Sequence, residues 1–166
     1  MVIAEIAKAA AGEVFLVKGT ASELKTTATD MLKEFINTKD YMGVYTTVNK
    51  PYSNMMRIFS KGGVKTDHLF FIDAVTRSVV ASPDEADNCL YTSSPKRLQE
   101  ISVALSKIAV KNPRVKFFVL DSISTLLLYN DQSEVQKFLH FLTTALRELQ
   151  MIGVLLISQG SAPPVF

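Results

Sequence analysis

What constrains this chain most is an alternation: short apolar runs are each followed by a stretch whose apolar residues recur at three- and four-residue steps. The runs span residues 14–18, 43–48, 68–74, 89–92, 115–120 and 153–158. Helical spacing covers 26–37, with Ala28, Met31, Leu32, Phe35 and Ile36 on one face, and 52–60, opened by Pro51 and closed by Gly62 and Gly63. A third helix is expected to start at Ser94-Pro95 and to carry Leu98, Ile101, Leu105 and Ile108. A fourth opens on Asp131 and Glu134 as a capping box and carries Val135, Phe138, Leu139, Leu142, Ala145, Leu146 and Leu149. Strands apolar on both faces need cover on both sides, which a parallel sheet between two helix layers provides. The expected fold is therefore α/β: a three-layer core with a mostly parallel sheet and helices on both faces.

One such domain fits a chain of 166 residues. Its expected parts are an N-terminal helix over 1–12, a core over 13–160 and a tail over 161–166. The first helix places Ile3, Ile6, Ala7 and Ala10 on one face and ends at Gly12, while Glu5 and Lys8 make it a poor signal peptide. The polar, acidic stretch 78–88, with Pro83, reads as a surface loop. Eighteen basic and 16 acidic residues are scattered to a net charge of +2, which makes no electrostatic case for nucleic acid or an anionic membrane. No apolar run approaches the roughly 20 residues a membrane-spanning helix needs. A single cysteine, Cys89, excludes an intramolecular disulfide and a multi-cysteine zinc site, and His68 and His140 lie too far apart in sequence to suggest a His-rich one. A reducing cytoplasm is the compartment this composition fits.

In parallel α/β sheets ligands sit beyond the carboxyl ends of the strands. There the sequence reads Gly19-Thr20-Ala21-Ser22-Glu23-Leu24-Lys25-Thr26. Gly19, Lys25 and Thr26 match the phosphate-binding spacing GxxxxGK[ST], in which backbone N–H groups cradle phosphates, the lysine neutralises them and the hydroxyl holds Mg²⁺. The second glycine is replaced by Leu24, whose side chain obstructs tight wrapping, and Glu23 adds a negative charge. Read without that motif, the segment is an ordinary turn into a helix. The run Phe117-Phe118-Val119-Leu120 ends in Asp121, an acid placed either to hold Mg²⁺ through water or to cap the next turn.

Taken together, the segments 14–27, 43–52 (GVYTTVNKPY), 68–73 (HLFFID), 88–95 (NCLYTSSP) and 117–129 (FFVLDSISTLLLY) resemble the RecA/KaiC-like P-loop ATPase superfamily widespread in archaea, as a divergent branch with a degenerate Walker A. The resemblance spans nearly all of 13–159. It implies a RecA-like P-loop NTPase core in which strand 153–158 lies between the phosphate-loop strand and the Asp121 strand. It also implies a nucleotide site drawn from Gly19, Thr20, Ala21, Ser22, Glu23, Leu24, Lys25, Thr26, Thr27 and Gln159, with Lys25 on the β- and γ-phosphates. Mg²⁺ would be held by Thr26 and Asp121, and Ser158 or Gln159 would sense the terminal phosphate. Active relatives carry a glutamate after the second strand, where this chain reads Thr46-Thr47-Val48-Asn49. An amide cannot take a proton from water, so a general base worth roughly 10²- to 10⁴-fold is missing; Asp73 is the nearest substitute by position.

The function these departures imply is weak or vestigial binding of ATP and Mg²⁺ in a regulatory or scaffolding domain that self-associates or binds a protein partner. Two alternatives stand beside it: a nucleotide-independent interaction module, and an ATPase completed in trans within an oligomer. The apolar ridge 126–129 is a candidate interface for any of them.

Overall fold

Six strands pair in parallel throughout, in the order β1-β6-β5-β2-β3-β4, in the computed structural model, which describes residues 2–159. They are β1 (Val14–Gly19), β2 (Met42–Thr47), β3 (Leu69–Asp73), β4 (Cys89–Tyr91), β5 (Val115–Asp121) and β6 (Ile152–Ser158). β6 does lie between β1 and β5, registering Gly19 against Ser158 on one side and Asp121 against Leu156 on the other. The expected tail 161–166 lies outside the described residues.

Side chains alternate across each strand and feed two cores. On one face Val17, Tyr45, Phe71, Phe117, Val119 and Val154 pack under α1 (Val2–Ala7), α2 (Ala21–Leu32) and α3 (Tyr52–Lys61). On the other Val44, Ile72, Phe118, Leu120 and Leu155 pack under α4 (Leu98–Lys111), α5 (Ile123–Tyr129) and α6 (Gln132–Glu148). Phe117 and Phe118 are both fully buried because they point to opposite faces of the central strand. Gly43 makes room for the first: a Cβ there would stand 2.1 Å from the Phe117 ring, which instead stacks on Phe35 at 4.8 Å. Gly153 does the same for α6, since its Cβ would meet Leu146 at 2.7 Å.

Three helix boundaries and one cap differ from expectation. The first helix stops at Ala7, whose carbonyl accepts from Lys39 Nζ, and Gly12, at φ 87°, serves the turn into β1 rather than a helix end. α2 starts at Ala21, five residues earlier than its apolar spacing suggests, and runs into a π-helical turn, Lys33–Thr38. α4 starts at Leu98, because Ser94 caps only a turn, accepting from Lys96 N, while Glu100 reaches back to the Ser93 N–H and hydroxyl. Asp131 is the N-cap of α6 by backbone geometry and makes no side-chain capping hydrogen bond, so the box with Glu134 does not form. Ser78 closes a 3-10 turn, Thr76–Ser78, and residues 79–88 are irregular, as expected of a loop, with one isolated bridge from Ala86 to Cys89. No helix of the described residues is long and apolar enough to cross a membrane.

Candidate functional site

The carboxyl ends of β1, β5, β2 and β6 meet α2 and α3 around a cavity of about 500 Å³. Ala21, Ser22, Leu24, Lys25, Tyr45, Asn49, Asp121 and Ser158 are among its walls. Lys25 and Asp121, 96 positions apart in sequence, thus face one space.

Asp121 is the most densely tied group there. The Tyr45 hydroxyl donates to its Oδ2 at 2.6 Å and the Asn49 amide donates to its Oδ1 at 2.7 Å. Asn49 in turn accepts from the Thr125 hydroxyl, so one amide joins the end of β5 to the start of α5. Burial pushes the Asp121 carboxyl above its usual range, against the opposing pull of Tyr45, Asn49 and Lys50. Burial and the neighbouring carboxylate likewise push the Tyr45 phenol well above its ordinary value. This is a buried, preorganised polar cluster in which both carboxylate oxygens of Asp121 already accept a hydrogen bond.

Facing it, Gly19 ends β1 and Thr20 is the N-cap of α2. The Thr20 hydroxyl accepts the Glu23 N–H at 3.1 Å while Glu23 Oε1 accepts the Thr20 N–H at 3.0 Å, a complete capping box. The Leu24 N–H donates to the Thr20 carbonyl at 2.9 Å. Three backbone donors at the head of the segment are therefore engaged locally. Hydrogen bonding to the carboxylate from the Thr20 backbone N–H, and secondarily from the Thr20 side chain, holds the Glu23 carboxyl below its usual range. Leu24 is buried, packing over Gly19 as the helix begins. Residues 21–27 form the first two turns of α2 and not a wrapped loop.

The remaining expected residues divide. Thr26 lines the groove between α2 and α3 that adjoins the Asp121 cavity and shares Ser22, Lys25 and Ile58 with it, and its hydroxyl donates to the Ser22 carbonyl at 3.3 Å. Thr27 lines neither space. Gln159 follows β6, its N–H donating to the Gly19 carbonyl at 2.7 Å, and Ser158 N–H is held by Ser124 Oγ at 2.8 Å. Asp73 is fully buried and committed elsewhere: it accepts the N–H groups of Tyr52, Val75 and Thr76 and the Thr76 hydroxyl. Its carboxylate pins α3 and a turn, leaving no lone pair aimed at the cavity. Met55 is buried, His68 rests between Asp40 and Asp67, and burial pushes the Cys89 thiol up to about 12. Among the described residues no group of three His, Cys, Asp or Glu could hold a metal ion.

Sequence reasoning missed Tyr45 and Thr125. The signal for Tyr45 was a tyrosine inside an otherwise buried strand, where its hydroxyl must find a partner. The box at Thr20 was also legible, as Thr-x-x-Glu at 20–23 overlapping the phosphate-loop spacing.

A six-stranded all-parallel sheet between two helix layers, with β6 between β1 and β5, is the architecture of a RecA/KaiC-type fold, and a solved structure agrees. A KaiC-like protein from the hyperthermophilic archaeon Pyrococcus horikoshii OT3 superposes with a TM-score of 0.66 at 17% identity, over 92% of this chain and 62% of that one. The chain thus spans about three fifths of that protein's length, and at this identity the likeness speaks for the fold. Over residues 12–165 the sequence matches the family of unknown function DUF7504, and the chain belongs to it. No curated protein matches the sequence.

Proposed function

We propose that this chain is a KaiC-like-fold domain whose nucleotide site is degenerate and whose work is regulatory or scaffolding, through a partner surface, rather than hydrolytic. The observation that carries this reading is the Thr20–Glu23 capping box. A triphosphate bound in a phosphate loop needs several convergent backbone donors and no competing anion. Here the Glu23 carboxylate already holds the Thr20 donor, and the Leu24 side chain fills the position where the backbone would have to wrap. The residues present therefore do not fit a tightly cradled triphosphate, and Thr26 and Asp121 stand on the walls of adjoining spaces. Asn49, standing where a water-activating acid would be needed, holds Asp121 and Thr125 in place and offers no general base.

Thermal unfolding with Mg-ATP tests the proposal. A ligand present at 100 times its Kd adds about 2.7 kcal/mol to stability, which no melt of a domain this size would miss. The expected result is a negligible shift at micromolar nucleotide, at most a small one at millimolar, and background phosphate release at every protein concentration. Micromolar stabilisation that Lys25→Ala abolishes, or release that climbs as the protein assembles, would overturn it.

A further inference from the structure

Beside the Asp121 cavity runs a second, larger concavity of about 660 Å³ between α2 and α3. Its walls carry three cations, Lys25, Arg57 and Lys61, and one acid, Asp30. No ion pair engages any of the three cations among the described residues; the ion pairs formed are those of His68 with Asp40 and Asp67, and Arg97 with Glu100. Arg57 has only a long contact, 3.5 Å, to Asn54. With three cations against one acid, the lining carries a surplus of positive charge that an anion would neutralise.

The groove is also held in shape. At its floor Gly62 lies so close to α2 that a Cβ would stand 2.7 Å from Thr29 Cγ2. Beyond it the Asn37 side chain donates to the Gly63 carbonyl at 2.7 Å and accepts the Lys65 N–H at 3.1 Å, tying the end of α3 to the π-helical turn that continues α2. On the α2 wall the Thr26 and Thr29 hydroxyls already donate to the Ser22 and Lys25 carbonyls, which leaves the cations as the groove's main donors to an anion. The lining contains no aromatic ring and a single aliphatic residue, Ile58, so it offers nothing on which a base could stack. Volume and lining suit a compact ligand whose recognition is ionic.

We propose that the α2/α3 groove binds a small, multiply charged phosphate compound, gripped by Arg57, Lys61 and Lys25, without recognition of a nucleobase. The groove adjoins the degenerate nucleotide cavity and shares Ser22, Lys25 and Ile58 with it, but Arg57 and Lys61 line the groove alone, and no Mg²⁺ is required. Lys25, at the junction, lines both spaces, which gives an anion in the groove a direct path to alter the surroundings of Asp121.

The test is a titration of the full chain with inorganic tripolyphosphate in EDTA, followed by thermal melting and calorimetry. Wild-type protein is expected to bind, with affinity falling as salt rises. Arg57→Gln/Lys61→Gln should bind at least about tenfold more weakly, Arg57→Lys should keep most of the affinity, and Lys107→Gln/Lys111→Gln on exposed α4 positions should match wild type. Circular dichroism confirms that each variant is folded. Four outcomes would overturn the proposal: no binding at millimolar tripolyphosphate, equal loss in the α4 variant, equal stabilisation by sulfate at matched ionic strength, or unchanged affinity in Arg57→Gln/Lys61→Gln. Tighter binding of a single-stranded oligonucleotide at the same residues would also overturn it, assigning the groove to nucleic acid. None of these readouts involves Mg-ATP, so failure here leaves the reading of the nucleotide cavity standing.

Discussion

Glu23 folds back onto the backbone N–H of Thr20 at 3.0 Å, while the Thr20 hydroxyl takes the N–H of Glu23 at 3.1 Å. This reciprocal pair engages donors that the proposed phosphate-binding reading would require, and it turns a loop-like sequence into the first turn of a helix. The consequence for stability is direct. Thr20→Ala should destabilise the protein by about 1 kcal/mol and Thr20→Ser by much less, as for other N-caps. Urea unfolding midpoints at constant m measure it.

The two carboxyls of the site titrate with opposite sign. Glu23, held low, stabilises the fold above its ordinary value of 4.5 and loses that contribution as pH falls through its depressed value. Asp121, held high by burial, does the reverse: the native state retains its proton longer, so stability declines as pH rises from the ordinary 3.8 through the raised value, and then levels. Glu23→Gln should therefore flatten the acid limb of the stability profile, and Asp121→Asn should remove the decline above 3.8. Chemical denaturation across the acidic range separates the two.

Leu24 is as much a core residue as a site residue. Only 6% of it is exposed, and it belongs to the cluster that includes Ala28, Val17 and Leu156. Leu24→Ala is expected to cost about 2–4 kcal/mol, within the range for buried leucines. A loss below about 1 kcal/mol in denaturant titration would mean that Leu24 is not packed as described.

Gly43 and Phe117 form a size-complementary pair on neighbouring strands. Gly43→Ala would drive a methyl into the ring, an overpacking penalty expected to exceed the usual 1–3 kcal/mol because both partners sit in the central sheet. Gly43→Ala/Phe117→Leu should recover part of that loss, giving a favourable coupling energy in a double-mutant cycle. Additive effects would contradict the contact.

Most of the architecture was legible because it follows from period alone. Six apolar runs became six parallel strands, and the helical stripes at Met31–Leu32–Phe35 and Leu139–Leu142–Leu146 became the faces buried against them. Helix starts were less legible, since they depend on which of several competing hydrogen bonds forms. At Thr20 a box formed in a segment expected to be a loop, and at Asp131 the expected box did not form. The site was half readable. Lys25 and Asp121 do face one cavity, but the partners that hold Asp121, Tyr45 on β2 and Asn49 beyond it, come together only through the β2–β5 pairing, which no local pattern records. Asp73 shows the converse: an acid at a strand end with the right position for chemistry, consumed by three backbone N–H groups and the Thr76 hydroxyl.

The most direct test of the central claim is an amide NMR titration of the wild-type chain with Mg-ATP, following the backbone N–H signals of residues 20–26. If the capping box holds this segment closed, those signals stay in place through micromolar nucleotide, and the Thr20 amide keeps the slow hydrogen exchange of a bonded donor. Saturable shifts across all seven amides at micromolar ATP, lost in Lys25→Ala, would contradict the account and restore a working phosphate loop.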